Sequence, residues 1–260
     1  MSAALLAAAF GDDPGRWPLP AAASPHDRWL RAVAAGGQGR YGSATADLAT
    51  LRREVHSGPV ASLGHSTQAS FLRQLGGHAR ARPWDGRALA LAASDPEACV
   101  DALLGLAADA LGMGRFAASA ALLDRAKEPL DGSPAPARLP VRWQWVVAEL
   151  AMARGDGTEA VRHAEQAVEL AAGCPSARHR VKTQVVYAAA LCSAGRIDEA
   201  RAVADDALSA TATLGLVPLQ WALASLLVDI VGDPARADQL TAIRDACAQA
   251  VRRAGGVWCR

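Results

Sequence analysis

Residues 138–167 of this chain recur forty positions later. Arg138, Val141, Arg142, Gln144, Val146, Ala148, Gly155, Glu159, Ala160, Ala164 and Ala167 return as Arg178, Val181, Lys182, Gln184, Val186, Ala188, Gly195, Glu199, Ala200, Ala204 and Ala207. Self-similarity at a period of roughly 20–50 residues is the mark of stacked supersecondary units, none of which can bury its apolar face alone. An architecture and a habit of binding follow from such a repeat; the identity of the bound partner does not.

The repeating unit is helical. Val, Ile, Tyr, Phe and Thr nowhere alternate convincingly, whereas apolar residues recur at i, i+4, i+7 and i+11, as in Val181, Val185, Ala188 and Cys192. Pro-containing marks at 24–25, 95–96, 139–140, 174–176, 217–218 and 233–234 come about once per unit and read as helix boundaries. Each unit also carries a central glycine with a small residue seven positions before and five after. Gly39, Gly76, Gly114, Gly155, Gly195 and Gly232 form this series, spaced by 37, 38, 41, 40 and 37 residues. Glycine reaches the left-handed conformation that ends one helix, and small neighbours let two antiparallel helices approach closely. The pattern predicts six helical hairpins in an elongated array, with a scattering radius above the globular value of about 18 Å. The second helix of the second unit is expected to begin at Pro83.

Gly39-Arg40-Tyr41 with Ala44, Gly114-Arg115-Phe116 with Ser119, and Gly195-Arg196-Ile197 with Ala200 resemble the tetratricopeptide-repeat pattern, with Ala126, Ala167 and Ala207 supplying its last small position. The resemblance covers roughly residues 25–250 and is nearest to divergent arrays attached to bacterial regulators. It implies an all-α, right-handed α-solenoid whose first helices line a concave groove. The organisation expected is a capping helix and lead-in over 1–24, the array over 25–254 and a tail over 255–260.

Bulk chemistry excludes several classes. A net charge of +1 offers no global field to draw in nucleic acid or an anionic membrane. Ala makes up nearly a quarter of the chain and Arg outnumbers Lys by 25 to 2, a bias that carries little functional information. The five cysteines include no Cys-x-x-Cys pair, so neither a disulfide framework nor a zinc site is indicated and a reducing cytoplasm fits best. The run MSAALLAAAFG lacks a basic leader and is too short to span a bilayer. No phosphate loop follows the glycine pairs, and the seven tryptophans are expected chiefly to fill gaps left by alanine. No cofactor or metal is expected.

The candidate binding residues follow from register. Ser66, Ser70, Arg73 and Gln74 form the most polar helical stretch and are expected to face the groove, offering hydrogen bonds to a partner. Asp101, Arg142 and Lys182 occupy the same groove position in successive units, with Glu97, Arg138 and Arg178 one turn earlier. Inter-repeat ion pairing is one reading of this ladder. The sharper one is a basic strip for an acidic peptide or C-terminal carboxylate, with Arg178 and Lys182 left free. The family's two-asparagine carboxylate clamp is missing, since Val146, Val186, Glu149 and Ala189 stand at its groove positions. Leu104, Leu111, Trp145, Met152, Ala222 and Leu226 make the expected groove floor apolar, to be covered by a partner helix or by the chain's own C-terminus.

The expected function is therefore a non-enzymatic, cytoplasmic scaffold or adaptor taking a protein or peptide in its groove, without nucleic acid or membrane; self-association stays open. The alternative is a regulatory module that binds a small ligand and acts with a separate transcription factor. A helical hydrolase built on His65, His78 and Asp85 is the remote third reading, with no nucleophile elbow and no i, i+4 histidine pair to support it.

Overall fold

The computed structural model describes residues 2–132 and 135–259. Among them there are thirteen helices and no strand. A short helix α1 (Ala3–Phe10) precedes six antiparallel hairpins: α2 (Pro25–Gly37) with α3 (Tyr41–Glu54), α4 (Pro59–Gln74) with α5 (His78–Leu91), and α6 (Pro96–Gly112) with α7 (Phe116–Gly132). The series continues with α8 (Arg138–Ala153) and α9 (Gly157–Ala172), α10 (Ala177–Ser193) and α11 (Ile197–Thr213), and α12 (Val217–Ile230) and α13 (Pro234–Arg253). Consecutive helices pack on one another, and the first helices of neighbouring hairpins also touch, as in α4 with α6 and α8 with α10. The arrangement is solenoid-like, with the first helices forming the inner layer.

The local chemistry is the one the punctuation implied. Ser24, Asp95, Ser176 and Asp233 cap α2, α6, α10 and α13 by accepting a backbone N–H of the first turn, and Pro25, Pro96 and Pro234 occupy the first helical position. Five of the six central glycines are left-handed, with φ between 71° and 83° at Gly39, Gly76, Gly114, Gly155 and Gly195. At Gly114, Gly155 and Gly195 an added Cβ would meet nothing, so backbone conformation alone requires glycine there. Gly232 is the exception: α12 ends in extended backbone at Val231 and the chain turns directly into the Asp233 cap. The flanking small residues Ala148, Ala160, Ala188 and Ala200 are wholly buried between helices.

Two expectations are corrected. Helix α5 begins at His78, with Pro83 inside it. Pro83 and Ala79, whose carbonyl loses its donor, both lie on the exposed side, where water replaces the missing bond. The array is also closed rather than elongated. Its accessible surface is 11231 Å², close to the roughly 10,800 Å² of a compact protein of this mass.

Closure occurs where the first hairpin meets the last. Gly39 packs on Pro218 and Val251. The Gly42 amide donates to the Ala254 carbonyl at 2.7 Å. Gly255, at φ 90°, sits so close that a Cβ would lie 2.9 Å from the Gly42 backbone. The N-terminal segment strengthens the seam: Gly15 lies on the Leu214–Gly215 backbone, and Gln38 donates to the carbonyls of Pro14 and Arg16 at 2.8 and 2.9 Å. Helix α1 is apolar throughout and bridges α2 and α10; the Ala177 amide donates to the Gly11 carbonyl at 2.9 Å. The segment expected to cap the array thus lies against its inner layer.

Substituting Ala200 with Leu should overpack α10 against α11 and lower stability by roughly 1–3 kcal/mol in denaturant titration. Gly255→Val strains both the left-handed backbone and the seam contact, at about 1–3 kcal/mol for the conformation alone. The wild-type chain should scatter with a radius near 18 Å, and the Gly255→Val protein with a larger one.

Candidate functional site

Closure turns the concave face into a chamber of about 450 Å³, within the size range of small-molecule sites. Its wall draws on α1, the inner helices and the C-terminal tail. All eleven residues singled out from the sequence line it: Ser66, Ser70, Arg73 and Gln74 from α4, Asp101 from α6, Arg138, Arg142, Trp145 and Glu149 from α8, and Arg178 and Lys182 from α10. Leu104, Leu111 and Ala222 of the expected floor are there too. Met152 and Leu226 instead pack into the cores between hairpins. Tryptophan does more than fill gaps, since Trp29, Trp145, Trp221 and Trp258 all face the chamber. The indoles of Trp29 and Trp145 are fixed by donating to Thr67 and Thr183, both at 2.9 Å. Trp258 lies 4.5 Å from Trp221, ring centroid to centroid, and the tail is pinned by the Cys259 amide on the Leu75 carbonyl at 2.8 Å.

The polar stretch on α4 proves to be tied down. Ser66 donates to Asp85 at 2.7 Å, and Gln74 accepts from Tyr41 and donates to Ser70 at 3.0 and 3.1 Å. Arg73 pairs with Asp85 and, at 3.0 Å, with Asp109, and both carboxylates are fully buried. These side chains, expected to offer hydrogen bonds to a partner, thus already bond within the chain, most firmly at Ser66 and Arg73. Two buried carboxylates on other helices need a cation, and Arg73 supplies it. His78 lines the chamber, His65 packs on Trp84 at 5.4 Å and Asp85 is held by Arg73 and Ser66, so the hydrolase residues do not converge on one wall.

The basic ladder is mostly neutralised by the repeat before it. Arg138 meets Glu97 at 2.5 Å and Asp101 at 3.5 Å, Arg142 pairs with Asp101, and Lys182 with Glu149 at 3.1 Å. The expectation of a free Lys182 is corrected by that last pair. Arg178 differs: among the described residues it has no carboxylate partner and only a long bond, 3.4 Å, from Nη2 to the Ala9 carbonyl. Its Nε is buried without an acceptor. Gly37 makes room for it, since a Cβ there would lie 2.9 Å from Arg178 Cδ. Burial, with Arg138 nearby, pulls Arg178 down to about 10, so it stays charged at neutral pH. Burial and the neighbouring cations hold His179, stacked on Trp145, well below the ordinary histidine range and therefore neutral.

No group of His, Cys, Asp and Glu among the described residues could hold a metal ion, and none of the described helices is long and apolar enough to cross a membrane. No protein-family model matches the chain, and no curated protein matches it.

Burial raises Asp85 to about 7 against the pull of Arg73, with Asp109 adding to the rise, and burial raises Asp109 as well. The folded state then keeps protons that the unfolded chain releases near pH 4. This cluster's contribution to stability is full below about pH 4 and is lost as pH rises through about 7. Asp85→Asn, which leaves Arg73 its bond to Asp109, should flatten the dependence of melting temperature on pH between these limits. An unchanged slope would assign the protons to other groups.

Proposed function

We propose that the chain is a non-enzymatic binding module of tetratricopeptide type that takes a small ligand into the chamber enclosed by its repeats. The observation that carries this reading is the closure of the array around an aromatic, cation-bearing space of about 450 Å³. A groove meant for a partner helix needs an open run several turns long and about 10 Å wide. Here α1 and the tail occupy the inner face, which favours a ligand of drug size over a docked helix. The catalytic alternative has little support, because Asp85 is consumed by Arg73 and Ser66 and His65 lies away from the chamber wall. A regulatory role, in which ligand occupancy stiffens the seam and is read by a separate protein, follows from the same geometry.

Screening small organic acids, amines and neutral compounds by thermal shift should yield ligands that raise the melting temperature and change tryptophan emission, since four tryptophans line the space. Ala222→Phe, which fills the chamber from α12, should abolish both responses. A ligand whose shift survives Ala222→Phe binds elsewhere and overturns the reading.

A further inference from the structure

The chamber wall carries five basic side chains, Arg73, Arg138, Arg142, Arg178 and Lys182. Four of them have carboxylate partners from the chain itself. Arg178 alone has none among the described residues, and it is half-buried. The Ala9 carbonyl of α1 and Gly37 of α2 lie against it, Arg138 of α8 and the Tyr41 hydroxyl are close enough to act on its charge, and Phe10, Trp145 and His179 line the same chamber. None of these carries negative charge. Of its five N–H groups, only one finds a protein acceptor, at 3.4 Å.

A half-buried guanidinium whose Nε is cut off from water and whose head meets no carboxylate keeps hydrogen-bonding capacity that the chain does not satisfy. Arginine cannot relieve this by losing its proton at neutral pH. Three further polar atoms on the same wall, His78 Nδ1, Trp258 Nε1 and Asp101 Oδ1, are likewise buried without a hydrogen-bond partner, the last of them beside the Arg142 guanidinium. Unmet polar atoms gathered on one cavity signal a ligand more than they do a packing fault. The wall also carries a large apolar and aromatic share, with Trp29, Phe71, Leu104, Trp145 and Trp221 contributing, beside the polar side chains of α4.

We infer that the chamber binds a small organic monoanion, a carboxylate or sulfonate with an aromatic or aliphatic body, whose charged group pairs with Arg178 while the body lies among the tryptophans. This rests on the chamber being a ligand site. A single unpaired cation selects a single negative charge, and the planar fork of arginine suits a carboxylate in two-point contact. A polyanion would have to displace Glu97, Asp101 or Glu149 from their own partners. The anion would also supply the missing counter-charge between α1 and α10, so binding should tighten the closed array.

The test uses two dyes with closely similar bodies. 1-Anilinonaphthalene-8-sulfonate is an aromatic monoanion and N-phenyl-1-naphthylamine its neutral counterpart. The full chain should bind the anionic dye at least tenfold more tightly than the neutral one. Arg178→Gln should weaken the anionic dye tenfold or more, leave the neutral dye within about twofold, and keep or raise the melting temperature of the unliganded protein. Arg178→Lys should retain part of the anionic affinity. Equal affinity for the two dyes in the wild type overturns the anion assignment while leaving the chamber as a site. Binding of neither dye, or binding unaffected by Ala222→Phe, overturns the chamber reading itself. A fall in melting temperature in Arg178→Gln with loss of both dyes would make Arg178 a structural residue and overturn the inference. Displacement of the anionic dye by 2-naphthylacetate supports a free acid as ligand. Stronger displacement by an acetylated hexapeptide with a free C-terminus, and none by its amide, would move the site to a peptide end.

Discussion

The seam between the first and last hairpins governs the rest of the molecule. A helical array normally exposes the inner face of its first helices, and here that face holds three tryptophans and a row of charges, with Trp258 of the tail laid against it. Closure narrows its access to bulk water through a few backbone contacts: Gly42 on Ala254, Gly255 against Gly42, and Gly11 on Ala177. Such contacts tolerate no side chain, which is why glycine stands at both faces of the junction. Helix α1 has no polar face to present to water, and its place between α2 and α10 gives it an apolar surface on either side.

Enclosure changes the worth of every charge inside. On a surface, the pairs along α6, α8 and α10 would contribute little. Arg138 and Asp101, which are buried, need their partners because an unmatched one would stay charged at low dielectric, whereas Lys182 and Glu149 remain about a third exposed. Each of these cations except Arg178 is accordingly met by an acid from a neighbouring inner helix: Arg138 and Arg142 by Glu97 and Asp101, Lys182 by Glu149, Arg73 by Asp109. The pairs also hold the inner helices in register. The Arg73 cluster has the opposite imbalance to Arg178, two carboxylates on one guanidinium, and it is resolved by burial raising both acids so that a proton is retained.

The hairpins were legible because they depend on local rules. Left-handed glycines, capping Ser and Asp residues, and small residues at fixed offsets each act within one unit, and five of the six glycines do what their register implies. The groove residues were legible for the same reason: the position thirteen residues before the glycine lies on the inner face in the third to sixth repeats, which brought Asp101, Arg142 and Lys182 together, while His26 and Leu63 at that position in the first two do not line the chamber. Closure was not legible, since it depends on residues more than two hundred positions apart, such as Gly42 and Ala254, and on the summed curvature of six units. Nor was the engagement of Arg73, because Asp85 and Asp109 lie on different helices and no spacing in the sequence announces their meeting. Pro83 misled by a rule that holds for buried helix interiors and weakens where water reaches the freed carbonyl.

Arg178 stands apart from the other cations for a reason found in its surroundings. Where Arg138 reaches back to the acids of α6, Arg178 reaches toward α1, and that helix offers only a carbonyl and the Phe10 ring. The neighbours that could have titrated to help it do not: burial pushes the Tyr41 hydroxyl up so that it stays protonated, and His179 stays neutral. A lysine here could shed its proton, but an arginine keeps its charge, and the Nε of this half-buried one is out of water's reach. Among the described residues, the space around its guanidinium is therefore where the inner wall leaves a charge for something else to match, and α1, which closes the array, offers it only the Ala9 carbonyl.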